Sequence, residues 1–251
     1  MSSATLQFHA ELNDFVPPAR RDRGFVHSFR GRVSIKDMIE SLGVPHTEVA
    51  AIAVNGQSQD FSYLVRDGDQ IDVYPISIAE AVAPFVPLRA PTLGTPRFVL
   101  DTHLGQLASY LRMLGFDTLY RNDYEDSELA YIASAEERIL LTRDRGLLKR
   151  GIVTHAYYLR ETDPQRQVAE LLRRYDLAPA IRPLHRCIRC NGQLRTVPKE
   201  QISDRLEPKT REHYQEFSIC VSCGQIYWKG SHYQKIQGFV DSVVRQKPLG
   251  E

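Results

Sequence analysis

The stretch FVLDTHLGQLASYLRMLGFDTLYRNDYEDSELAYIASAEERILLTRDRGLLKR, residues 98–150, decides the fold. It opens within RFVLD, residues 97–101, an apolar run that predicts a strand ending in a carboxylate. HLGQLASYLRMLGFD follows. Its Leu104, Leu107, Ala108, Leu111 and Leu114 recur at helical spacing and form one apolar stripe. Gly115 is placed to end that helix, with Phe116 as the apolar contact beyond it. DTLY predicts a short second strand and DYEDSELAYIASAEE a helix with a polar start. ERILLTRD, residues 137–144, predicts a third strand, again ending in a carboxylate. Further on, GIVTHAYYLR predicts a fourth strand and DPQRQVAELLRRYDL another helix, with Pro164 in its first turn. Strands alternating with helices predict an α/β domain, a parallel sheet covered on both faces.

In such sheets ligands bind at the carboxyl ends of the strands. Asp101 and Asp144 fall there, and Asp126 falls at the start of the helix between them. Three converging carboxylates repel one another unless a cation neutralises them, and an all-oxygen site suits Mg²⁺ or Mn²⁺. Such ions activate water and stabilise in-line phosphoryl displacement. Each residue also has a local explanation: a turn for Asp101, a helix cap for Asp126 and Asp144. Arg143, Arg145, Lys149 and Arg150 cluster beside Asp144 and are candidates for phosphate contact, or simply a solvated face. Arg112, on the helix after Asp101, is a weaker candidate. Tyr110 and Tyr124 could stack bases or pack in the core, and His103 could meet phosphate or play a structural part.

Outward from this centre, residues 81–96 hold Pro84, Pro87, Pro91 and Pro96 without apolar periodicity, which predicts an extended linker. Ahead of it, residues 1–80 read β-β-α-β-β. ATLQFHAEL alternates like a strand, and residues 23–29 can pair with it. Ser34 can cap the helix IKDMIESLG, which stops at Gly43. VAAIAVNG and LVRDGDQIDVYPI supply the remaining strands and an Asp-Gly turn. The central domain spans 97–180, and residues 181–245 form a third module.

That third module contains the only four cysteines, Cys187-x-x-Cys190 and Cys220-x-x-Cys223. Two such knuckles predict a tetrahedral, structural Zn²⁺ bound by four thiolates, a zinc ribbon. His185 or His232 is a less favoured replacement ligand. YWKGSHYQK, residues 227–235, interleaves aromatic and basic groups, consistent with nucleic-acid contact or with packing of Tyr227 and Trp228 onto the ribbon.

The chain's 251 residues, 42% apolar and 25% charged, exclude a disordered chain or a disulfide-dense mini-protein. No apolar run approaches membrane-spanning length, and the start MSSATLQFHAELNDF lacks a signal-peptide pattern, so the expected place is the cytoplasm. Net charge is +1, but residues 1–80 carry 7 Lys+Arg against 11 Asp+Glu, and residues 181–251 carry 12 against 7. An acidic front and a basic back suggest modules with separate work.

Residues 98–150, with QVAELLRRYDL at 167–177, HRCIRCNGQL at 185–194 and CVSCGQIYWKGSHY at 220–233, resemble the Mut-7 C-terminal RNase domain family, a branch of the PIN-like nucleases. The resemblance implies a PIN-like α/β/α domain that cleaves RNA, single-stranded by expectation, with Mg²⁺ or Mn²⁺ held by Asp101, Asp126 and Asp144. Asp123 and Glu128 are substitutes for Asp126, and Glu161 or Asp163 would be the fourth acidic ligand of many relatives. The alternative is a non-catalytic RNA- or ribosome-binding protein on the same fold. The front module resembles ubiquitin-like β-grasp sulfur carriers through VNG at 54–56 and DGDQIDVYP at 67–75. Those carriers act through a terminal Gly-Gly. Here the last strand runs on into YPISIAEAVAP, so the expected role is docking a protein partner.

Overall fold

A computed structural model of the chain describes residues 1–79, 88, 94–230, 233, 234, 238 and 241. Most of the predicted linker, with Pro84, Pro87 and Pro91, lies outside the described residues, as do His232 and most of residues 235–245. The chain divides into two compact units, Met1–Leu93 with Ala130–Tyr158, and Gly94–Leu129 with Leu159–Glu251.

The first unit opens with the ubiquitin-like domain. Its strands are β1 (Ser2–Phe8), β2 (Phe25–Phe29), β3 (Val49–Val54), β4 (Gln57–Gln59) and β5 (Gln70–Pro75), in the order β2-β1-β5-β3-β4. The first and last long strands, β1 and β5, run parallel at the centre, and the other pairs are antiparallel. Helix α1 (Ile35–Ser41) starts where Ser34 accepts from the Asp37 amide, and it buries Ile35, Met38 and Ile39 against the sheet's core. Asn55 and Gly56, both at positive φ, turn β3 into β4. The sequence showed no strand at β4, because QSQ carries no apolar alternation. The chain leaves β5 through α2 (Ile76–Ala79).

The central region contributes a parallel strand pair to each unit. In the second unit β6 (Phe98–Leu100) pairs with β7 (Thr118–Leu119), and in the first β8 (Ile139–Thr142) pairs with β9 (Ala156–Tyr158). β6 and β8 are wholly buried, as strands covered on both faces must be. After β6 the chain makes one 3₁₀ turn and enters α3 (Gly105–Met113). Gly115 ends α3 at φ +96°, and a Cβ there would collide with the Arg182 carbonyl. α4 (Asp126–Ala135) and α5 (Arg145–Leu148) flank β8, and α6 (Pro164–Arg174) follows β9 with Pro164 at its first turn. The C-terminal region is a three-stranded antiparallel sheet of β10 (Leu194–Val197), β11 (Phe217–Cys220) and β12 (Ile226–Trp228), with α7 (Pro208–His213) between the first two.

In the first unit the ubiquitin-like domain packs on residues 145–158. Three consecutive polar residues, His46, Thr47 and Glu48, are buried there. His46 Nε2 lies 3.0 Å from the Val153 carbonyl, Thr47 Oγ1 donates to the Leu148 carbonyl at 3.4 Å, and Glu48 accepts from the Tyr158 amide at 2.7 Å. Buried polar groups persist only when partnered, and these partners lie about a hundred residues away in sequence.

Candidate functional site

Asp101 stands at the end of β6, 7% exposed. Its Oδ1 accepts from the Thr102 amide at 2.6 Å, and its Oδ2 lies 3.4 Å from His103 Nδ1. Tyr120 closes this corner by donating its hydroxyl to the Thr102 carbonyl at 2.8 Å. Gly105 leaves room for that ring: a Cβ there would lie 2.7 Å from the Tyr120 hydroxyl. Asp126 is the first residue of α4 and exposed. Its two alternatives are both engaged by Arg121, at 2.9 Å to Asp123 and 3.1 Å to Glu128. Asp144 follows β8 and caps α5, accepting from the Gly146 amide at 2.6 Å, while its own amide donates to Thr142 Oγ1. Asp163 caps α6 through the Gln165 and Arg166 amides.

The basic residues take unexpected places. Arg145 donates to the carbonyls of Asp14 and Phe15 and lies over the rings of Phe15 and Tyr158. Lys149 donates to the Glu40 carbonyl at 2.7 Å. Arg143 lies 6.0 Å from the Tyr158 ring centroid. Arg112 is buried, and its guanidinium donates to the carbonyls of Thr118, Ile188 and Arg189. It binds α3 and β7 to the first cysteine knuckle. A charged residue on an amphipathic helix ordinarily reads as exposed, and nothing local in SYLRML marks this one as buried.

The four cysteines come together: their Sγ atoms all lie within 4.8 Å of one another. Cys187 and Cys223 are 3.6 Å apart, and Cys190 and Cys220 3.5 Å. Tetrahedral thiolates about 2.3 Å from a Zn²⁺ ion stand about 3.8 Å apart, so the donor set fits. Without a cation, four thiols this close cannot ionise together. Burial and neighbouring thiols push Cys190 up to about 12. At Cys220 burial also pushes upward, but the amides of Cys223 and Ser222 and the adjacent thiols outweigh it and bring the thiol down to about 7.

The surroundings orient this cradle. Gly192 permits the close approach, since a Cβ there would lie 2.9 Å from Cys220 Sγ. Tyr227 donates to Cys187 Sγ at 3.1 Å and accepts from the Ile188 amide; burial, then Cys187, raises its pKa. Asn191 ties the knuckle to β7, accepting from the Thr118 amide and donating to Asp117, which Arg186 also holds. The sequence reading placed Tyr227 near the ribbon without assigning it this hydrogen bond. His185, the alternative ligand, is exposed.

No helix among the described residues is long and apolar enough to cross a membrane. No curated protein and no solved structure matches the chain. Two family models match: the Mut7-C ubiquitin model over residues 1–81, and the Mut7-C RNAse domain model over residues 96–240. The second covers more than half of the chain. The chain therefore belongs to the Mut7-C RNAse domain family, with a Mut7-C ubiquitin domain in front.

Proposed function

We propose that this protein is a metal-dependent ribonuclease that hydrolyses phosphodiester bonds of single-stranded RNA. The observation that carries the reading is the match of residues 96–240 to the RNAse domain family, with Asp101 held nearly buried at a strand's carboxyl end. Asp101, Asp126 and Asp144 would hold Mg²⁺ or Mn²⁺ through carboxylate oxygens, the donor type those ions take. Bound there, one or two such ions would supply Lewis-acid charge and a lowered water pKa for in-line attack.

The chain's own residues do the positioning. The Thr102 amide fixes Asp101 Oδ1, and the Gly146 amide fixes Asp144 Oδ1, so both side chains are set before substrate arrives. Arg143, next to Asp144 in the chain, is proposed as a phosphate contact. Arg145 and Lys149 hold the ubiquitin-like domain, and Arg112 braces the knuckle. The four cysteines would hold a structural Zn²⁺. The ubiquitin-like domain is the surface offered to a protein partner. We place the protein in the cytoplasm, where thiols stay reduced and available to zinc.

Incubation of purified protein with end-labelled single-stranded RNA tests the reading. Cleavage that appears only with added Mg²⁺ or Mn²⁺ supports it. Tight RNA binding without cleavage under any divalent ion replaces it with the non-catalytic RNA-binding alternative.

A further inference from the structure

Two cavities in the second unit share a wall. One, of about 470 Å³, lies between the start of α3 and the first cysteine knuckle, with Tyr120 and Tyr227 in its lining. The other, of about 290 Å³, lies against the second knuckle at Cys223 and Gly224, with Arg205 and Trp228 in its lining. Arg189 and Gln225 belong to both. The two adjoin at these residues, beside the cysteine cluster, and we read them together as one groove. At its first end, Tyr120 is hydrogen-bonded to the residue next to Asp101. At its second, Trp228 is 37% exposed.

The lining has the chemistry of a single-strand track. Arg189 and Arg205 stand against one carboxylate, Glu207, while the Arg112 guanidinium is turned to backbone carbonyls. Aromatic rings occur at both ends, with cations between them, the pattern that binds bases by stacking and backbone by charge. The groove is set in advance. Tyr227 is pinned by Cys187 and the Ile188 amide, and Arg205 donates to the Gly224 carbonyl at 2.7 Å. Gly230 makes room beside Trp228, since a Cβ there would lie 2.7 Å from the indole nitrogen.

We propose that single-stranded RNA lies in this groove, running from Tyr120 beside Asp101, past Arg189 over the cysteine knuckles, to Trp228. This extends the ribonuclease reading and rests on it. The zinc region would then be a substrate guide for bases flanking the cleaved bond, as well as a structural element.

The test measures binding of a fluorescent single-stranded RNA to the full-length protein, without added Mg²⁺ or Mn²⁺ and with zinc content checked in every variant. Arg189→Glu and Trp228→Ala are compared with Arg195→Glu, an exposed charge reversal on β10 away from the groove. The expected result is about tenfold weaker binding for the two groove variants, with Trp228→Phe restoring affinity and Arg195→Glu changing it little. Arg189→Glu should also lower the slope of log affinity against log salt by about 0.7, one phosphate contact. If wild type binds and cleaves RNA and all variants match it, the track is overturned while the ribonuclease reading stands. If wild type neither binds nor cleaves RNA, both fall. Displacement of RNA by polyglutamate at equal charge concentration would assign the groove to acidic peptides and overturn the proposal.

Discussion

The Arg145 guanidinium carbon stands 5.0 Å from the centre of the Phe15 ring. The residue next to Asp144 is thereby held by the ubiquitin-like domain. Phe15 is itself buried and meets Tyr158 edge-on at 5.2 Å. Phe15→Ala should destabilise the first unit by about 3–5 kcal/mol, the usual cost of emptying a buried aromatic site. Amide exchange should quicken across residues 145–158 as well as within the ubiquitin-like domain. Unchanged protection of 145–158 would show that the two segments are energetically independent.

His46 sits in the same contact, with Glu40 Oε1 at 2.6 Å from Nδ1 and the Val153 carbonyl at Nε2. Burial holds its pKa below the ordinary 6.5, against the raising effect of Glu40 and with help from Lys36. Folding thus lowers the ring's proton affinity, although both ring nitrogens face acceptors, Glu40 and the Val153 carbonyl. The ring's stabilising share is whole above about pH 6.5 and is lost as pH falls through the depressed value. Melting temperatures measured between about pH 7 and pH 5 should fall more steeply for wild type than for His46→Gln. Parallel curves would remove His46 as the cause.

Arg112→Lys should cost about 2–4 kcal/mol, because an ammonium cannot reach the Thr118, Ile188 and Arg189 carbonyls that the guanidinium fork spans. Denaturant unfolding should show the loss, and the variant's zinc should exchange faster. A stability equal to wild type would return Arg112 to the list of RNA contacts.

Much of this molecule was legible in its residues. Ser34, Gly43, Gly115 and Pro164 mark helix ends through local backbone chemistry, and each stands where that chemistry put it. The paired C-x-x-C spacings located the cysteine cluster before its geometry was known. What escaped reading depends on distant partners. The burial of His46, Thr47 and Glu48 comes from a segment about a hundred residues on. The engagement of Arg145 and Lys149 likewise reaches across the chain. Charge beside an aspartate looks the same in sequence whether it meets phosphate or a backbone carbonyl.

Elemental analysis should find about one zinc per chain. Cys187→Ser should lose it, and with it the fixed positions of Tyr227 and of the Ile188 and Arg189 carbonyls that Arg112 grips. Chelation should unfold the C-terminal region first, visible as a rise in Trp228 solvent exposure by fluorescence. A well-folded wild-type protein free of zinc would contradict the thiolate site.

The most direct test of the central claim is the single-turnover cleavage rate of Asp101→Asn beside wild type, with Mn²⁺ and end-labelled single-stranded RNA. The substitution keeps the side chain's shape and its acceptor for the Thr102 amide while removing the charge. Cleavage slowed about a hundredfold or more, with RNA affinity retained, is the predicted result. Cleavage at the wild-type rate would contradict the account.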